Sequence, residues 1–312
     1  MVQTFTTPGP LALRLRVPAG EIEVETIDGD ETTVELIARR SDEASLAAVE
    51  ETRIDLRDRP GGGHELRIDV PDRDSTSRLG FLFSRSPEVL VRVTCPPGAG
   101  LVIRSRSADV HARGLFGELE SETTSGDLEV DEVDGSARGR AVSGDTRIAR
   151  IGGAAELQAV SGDIAVDACA GRATLQSVSG DLLLGDAGSS VDLNSVSGDQ
   201  WVENAGAGPV SSQSVSGDIR VGVRPGIRVW IDAGSRSGDV TSELDVGDTR
   251  PGEGPVTELR IQTLSGDIAI ARSREAPPAP APPREPPAPL GPREPLAAPA
   301  VRDEHEDANS QP

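Results

Sequence analysis

Apolar positions recur in fixed places around a repeated Ser-Gly-Asp triplet. The residue after each Asp is Val110, Leu128, Thr146, Ile164, Leu182, Gln200, Ile219, Val240 or Ile268, and two positions on stand Ala112, Val130, Ile148, Val166, Leu184, Val202, Val221, Ser242 and Ile270. Between the two rows lie His111, Glu129, Arg147, Ala165, Leu183, Trp201, Arg220, Thr241 and Ala269, which share no property. Apolar, variable, apolar is the period of a strand with one buried face.

Upstream of the triplet the alternation has the other parity. Two residues before each Ser the side chain is always small, as at Ala141, Ala159, Ser177 and Ser195, which predicts a crowded inward seam. One residue before it stand Arg106, Thr124, Val142, Val160, Val178, Val196, Val215, Arg236 and Leu264, a set that tolerates Arg and is therefore expected to face outward. Reconciling the two parities in one run requires a bend at the Gly-Asp step. Gly supplies the positive φ of such a bend, and Asp can bond nearby backbone N–H groups. The expected structural corners are Gly126-Asp127, Gly144-Asp145, Gly162-Asp163, Gly180-Asp181, Gly198-Asp199, Gly217-Asp218, Gly238-Asp239 and Gly266-Asp267. A second inward stripe is expected at Leu115, Val133, Ile151, Cys169 and Ala187, with Gly117, Gly135, Gly153 and Gly171 at the next corner.

The triplets begin at Ser107 (as Ser-Ala-Asp), Ser125, Ser143, Ser161, Ser179, Ser197, Ser216, Ser237 and Ser265, so five steps of 18 residues are followed by 19, 21 and 28. A fixed period near this length is the mark of a solenoid whose coils stack on their neighbours. The predicted fold is an all-β, single-chain β-solenoid of about 18 residues per coil, a rod on the order of 40 Å long at ~4.8 Å per rung.

This train of Val-Ser-Gly-Asp-aliphatic units, over roughly Leu11 to Ala271, resembles a bacterial beta-strand-repeat domain family labelled "putative adhesin" and of unknown function. The resemblance implies a single-chain β-solenoid, a platform rather than a catalyst, with links to the cell envelope, its stress responses or adhesion-type contacts.

Outside the regular repeats the pattern predicts an N-terminal cap and first coils over 1–100, regular coils over 101–272 and a tail over 273–312. In the cap, strands are expected at Leu11–Val17, Glu21–Thr26, Thr32–Ala38, Thr52–Leu56, Glu65–Val70 and Val89–Thr94, and Asp28-Gly29-Asp30 echoes the corner. Ser41–Glu50 reads as one short helix capped by Ser41. A solenoid needs a covered end, and this segment supplies one. The tail is rich in Pro and Ala, so it cannot join a sheet and is expected to be disordered and partly polyproline II. Its two Pro-Arg-Glu-Pro copies fit aromatic-groove domains, with a plain spacer as the alternative.

A formal charge of −21 sets the sum of 31 basic against 52 acidic side chains and disfavours nucleic acid and anionic lipid as partners. A protein partner is expected. Neither a leader pattern nor an apolar run long enough to span a bilayer is visible, so a cytoplasmic location without a transmembrane segment is the expectation. The two cysteines, Cys95 and Cys169, have no metal-ligand spacing, and Cys169 in an inward stripe reads as a buried thiol.

Candidate chemistry is sparse. A calcium ladder on the repeated aspartates is one alternative, since carboxylates stacked at ~4.8 Å repel by roughly 0.9 kcal/mol per pair even in water. One Asp per coil gives few oxygens per ion, so structural corners are the reading adopted, with no cofactor. A polysaccharide-active β-helix is a second alternative, weakened by three His, six aromatic residues and the lack of a nucleophile elbow or phosphate loop. The partner-binding candidates are the apolar segment Phe81, Leu82 and Phe83, which could instead plug the first coil, and Trp201, outward on a variable row.

Overall fold

The computed structural model describes residues 1–72, 87–244 and 255–273. The chain divides into two units, Met1–Glu275 and Ala276–Pro312. All elements below belong to the first. They begin with β1 (Val2–Thr6), β2 (Leu11–Thr26), β3 (Glu31–Ala38), α1 (Glu43–Glu51), β4 (Arg53–Asp58), β5 (His64–Asp69), β6 (Val89–Cys95) and β7 (Ala99–Thr123). Strands β8 to β18 are Leu128–Val133, Ala137–Ser143, Thr146–Ile151, Ala155–Ser161, Ile164–Cys169, Ala173–Ser179, Leu182–Ala187, Val191–Ser197, Gln200–Ala205, Val210–Ser216 and Ile219–Val223. Then follow β19 (Arg228–Ser237), β20 (Val240–Ser242), β21 (Val256–Ser265) and β22 (Ile268–Arg272).

The fold is an all-β solenoid of parallel rungs. Each rung has one strand entering the Ser-Gly-Asp corner and one leaving it. The entering strands β9, β11, β13, β15 and β17 pair in parallel, with Ala141, Ala159, Ser177, Ser195 and Ser214 in line. The leaving strands β8, β10, β12, β14, β16 and β18 form a second parallel ladder. The inward residues of both ladders, among them Ile148, Ile164, Leu175, Leu184 and Leu193, are at most 1% exposed and belong to one continuous core. Long strands β2 and β7 run unbroken through a corner, so Leu11–Thr26 is one strand where two were expected.

The corner is built by stacking backbone on backbone. Gly162 has φ +133°, and a Cβ there would lie 2.1 Å from the Gly144 carbonyl oxygen of the rung beneath. Glycine is therefore required twice, for its backbone conformation and for the close approach. The aspartates tie the rungs: the backbone N–H of Asp145 donates to Asp127 Oδ1, Asp163 to Asp145, Asp181 to Asp163, Asp199 to Asp181 and Asp218 to Asp199, at 2.8–2.9 Å. The carboxylate thus serves the next rung's corner, where the sequence suggested a bond within its own turn.

Rung order departs from chain order at both ends. The final strands β21 and β22 insert between β17/β18 and β19/β20, because β21 pairs with both β17 and β19, and β22 with both β18 and β20. The aspartate ladder follows the spatial order, running Asp218, Asp267, Asp239. At the other end β2 lies between β7 on one side and β5 with β6 on the other. Both chain-terminal rungs are consequently penultimate in space. The 21- and 28-residue steps mark this rearrangement, and it leaves Val240 46% exposed on the end rung although its row is otherwise buried.

The N-terminal end is covered by antiparallel strands. β4 pairs with β5, β3 with β6, and β1 with β3, while α1 packs on β3 and β6. Asp28-Gly29-Asp30 is accordingly a reversal into β3, whereas the first solenoid corner is Ala19-Gly20-Glu21, aligned with Ser107-Ala108-Asp109. The helix cap is Asp42, whose side chain accepts the Ser45 N–H at 2.7 Å, in place of Ser41. Leu115 does not join the inward stripe. A bulge between Ala112 and Leu115 shifts the register, so Phe116 pairs with Val133 and is fully buried, with Leu115 37% exposed.

Replacing Gly162 with Ala is expected to cost about 3 kcal/mol or more, read as a lower urea midpoint, because both backbone strain and a carbonyl clash are introduced. Asp163→Ala removes the acceptor of the Asp181 N–H and should cost about 1 kcal/mol. Asp163→Asn keeps an oxygen there and removes a charge from the stack, so its midpoint should match or exceed the parent's. Burial pushes the Cys95 thiol up to about 12 and raises Cys169 against weaker backbone hydrogen bonds. Neither thiol should react with a disulfide reagent at neutral pH until the chain unfolds.

Candidate binding surfaces

Because the corners fix each rung over the next, outward side chains at equivalent positions form columns along the solenoid. The column just before the Ser contains Val142, Val160, Val178, Val196, Val215 and Leu264 in six successive rungs, each 45–52% exposed. Five steps at ~4.8 Å make an apolar stripe about 24 Å long. Two residues upstream a second column carries amides: Gln158, Gln176, Asn194, Gln213 and Gln262 are paired in register from rung to rung. Neither column carries a charge from Gln158 to Leu264, on a chain of net charge −21.

The two columns wall a shallow groove. One part, of about 450 Å³, is lined by Gln158, Val160, Gln176, Val178 and Val196, with Arg140 at its end; the next, of about 560 Å³, shares Asn194 and Ser195 with it and continues past Gln213, Val215 and Leu264 to Asp232 and Arg236. Its floor is the row of small residues, Ala159, Ser177, Ser195, Ser214 and Thr263, all buried. Ser195 donates to Ser214 Oγ at 3.1 Å, whereas the buried Ser177 Oγ has no partner among the described residues.

On the ladder of leaving strands, Trp201 is half-buried and aligned with Leu183 below and Arg220 above. It borders a depression of about 540 Å³ together with Leu183, Glu203, Arg220, Ala269 and Arg272. Gly222 also lines it, packed so closely that a Cβ there would lie 2.0 Å from the Glu203 carbonyl oxygen. Beneath it the core changes character. Gln200, in an otherwise apolar row, is fully buried and donates to Ser195 Oγ and the Gln213 carbonyl oxygen, while Ser212, where its neighbour rung has Leu193, donates to Gln200 Oε1. The long amide fills the space left by the shorter serine and satisfies its hydroxyl.

Phe81, Leu82 and Phe83 lie outside the described residues, as does the Pro-rich tail. Trp201 stands alone on its face, away from the valine groove. Of the aspartates proposed as corners, Asp127, Asp145, Asp163, Asp181, Asp199, Asp218 and Asp267 each present Oδ1 to a neighbouring rung's N–H. His111 faces outward with Glu129 at 3.2 Å. Among the described residues no group of three or more His, Cys, Asp or Glu is placed to hold a metal ion. Among the described residues no helix is long and apolar enough to cross a membrane. Sequence reading placed the valine column outward without recognising it as a surface, and it missed the amide column, which aligning the repeats would have displayed. It also missed Trp230, 53% exposed on β19.

No curated protein matches the chain. Solved structures similar to it include two bacterial proteins described as "putative adhesin". The one from Bacteroides fragilis NCTC 9343 is 13% identical, with 86% of this chain and 96% of that chain covered at a TM-score of 0.32. The one from Parabacteroides distasonis ATCC 8503 is 12% identical, with the same coverage and a TM-score of 0.35. The pattern of the Toastrack DUF4097 family matches residues 21–271, which is most of the chain and all of its regular rungs. On that match, the chain belongs to the Toastrack DUF4097 family.

Proposed function

We propose that this protein is a non-catalytic binding scaffold that holds an extended, uncharged segment of a partner protein along the valine and amide columns. The observation that carries this reading is the composition of the column before the Ser. The corner itself does not demand an aliphatic there, since Arg106, Thr124 and Arg236 occupy the same position in other rungs. Six consecutive exposed aliphatics are therefore a property of the surface. Contiguous apolar area beside hydrogen-bonding amides suits a partner that buries apolar groups against the valines and pairs its polar groups with Gln and Asn. A rigid stack of rungs presents that pattern with little entropy left to lose on binding.

The Trp201 depression, with Arg220 and Glu203 at its rim, lies on the other ladder and is not part of this surface. The aspartate ladder is assigned a structural role, which the engagement of each Oδ1 by a neighbouring backbone N–H supports.

The triple variant Val160→Asp, Val178→Asp, Val196→Asp should stay folded, because these side chains face solvent, and should lose the proteins that the parent captures from envelope extracts. Trp201→Ala should retain them. Capture should change little between about 0.05 and 0.5 M salt, as expected for an uncharged contact. Undiminished capture by the folded triple variant would reject the groove as the binding surface.

A further inference from the structure

The two ends of the solenoid are unlike. At the N-terminal end the outer edge of the β5 and β6 rung is taken by β4 and β3, with β1 and α1 beyond. At the opposite end β19 pairs with β21 along one edge, and no described strand pairs with its other edge. The Arg228 N–H points inward to the Pro255 carbonyl oxygen. By strand alternation Val229, Ile231 and Ala233 turn their N–H and C=O groups to the free side. The same strand exposes Trp230 by 53% and Ile231 by 37%. A strand of ten residues whose outer backbone groups no described strand engages, and which exposes apolar side chains, is a site for strand addition.

We propose that a second copy of this chain occupies the edge, the two β19 strands pairing antiparallel about a twofold axis at Gly234. The charges of β19 select this partner. With the axis at Gly234, Asp232 lies opposite the partner's Arg236 and, by symmetry, Arg236 opposite the partner's Asp232. Both side chains are exposed, and neither has an ion-pair partner among the described residues. The same register brings Trp230 beyond the paired residues to the partner's corner at Gly238, where no side chain obstructs the indole. Gly234 meets its own copy at the axis, so two strands approach there without side-chain crowding. Cross-strand pairs of opposite charge and an aromatic over an unobstructed backbone are the contacts that stabilise such a ladder.

The capped end makes the contact closed. An uncapped rung at each end would let copies stack head to tail into a filament. Here β3 and β4 cover the rung that such stacking would need. The remaining arrangement joins end rung to end rung, which pairs two molecules and stops.

The test is sedimentation equilibrium of the full-length protein over a wide concentration range, with thermal melts to establish folding. The parent should show a reversible monomer–dimer equilibrium. Asp232→Arg or Arg236→Asp alone should weaken it by about tenfold or more, and the double exchange should restore it to within about threefold, because only the pairing of the two charges is reinstated. With Trp201→Phe, Trp230 is the only indole, and its emission should shift to the blue over the concentration range in which the dimer forms. The triple valine variant should dimerise like the parent. A parent that stays monomeric, a double exchange that fails to recover, or a dimer abolished by the valine changes and untouched by Asp232→Arg would each overturn the proposal.

Discussion

The structure depends on a close approach of backbones at one corner per rung. Successive glycines lie so near one another that a methyl group at Gly162 would overlap the Gly144 carbonyl oxygen at 2.1 Å. That closeness lets the Asp163 N–H reach Asp145 Oδ1 at 2.9 Å. Stacked carboxylates repel by an amount similar to the net value of one hydrogen bond. The N–H donated to each carboxylate offsets that repulsion while fixing the rung above. Registry of the corners then aligns the aliphatic rows inside and the valine and amide columns outside.

A solenoid whose coils touch only their neighbours is weakest at its ends, where a rung has one partner. This chain avoids using its terminal segments as end rungs. β2 and the pair β21 and β22 are each held between two other rungs, so opening either requires breaking ladders on both sides. The rungs left at the ends are joined to the rest by chain at both of their own termini. One end is further covered by antiparallel strands and a helix, and the other presents β19. The asymmetry of capping and the surface chemistry of the faces are therefore separate outcomes of one topology.

The absence of catalytic groupings among the described residues follows from how the rungs are assembled. Each outward column gathers residues 18 positions apart, and nearly every column mixes charge types, as where Arg138 meets Glu156 at 3.0 Å and Arg150 meets Glu132 at 3.3 Å. Such pairs are exposed and contribute little each. The valine and amide groove, charged only at its ends by Arg140, Asp232 and Arg236, stands apart from them, which is why it, and not an acidic cluster, carries the functional reading.

The amino-acid sequence by itself determined the solenoid, the corner at Gly-Asp, the inward rows and the outward direction of Val142 to Val215. Those features are local and repeated, and a strand's side-chain alternation is visible wherever the period holds. Inference missed what pairing decides locally: the bulge that puts Phe116 in place of Leu115 lies within a coil of regular length and depends on pairing with β8, and outside the repeats the helix cap is Asp42 where Ser41 was expected. Spatial rung order was decided only by tertiary structure, since β21 can pair with either β17 or β19 on equivalent side chains and no single strand encodes which neighbours it will have. The same holds for Trp230 and Val240. Their exposure comes from occupying an end rung, a position set by the order of stacking and not by any property of the residues themselves.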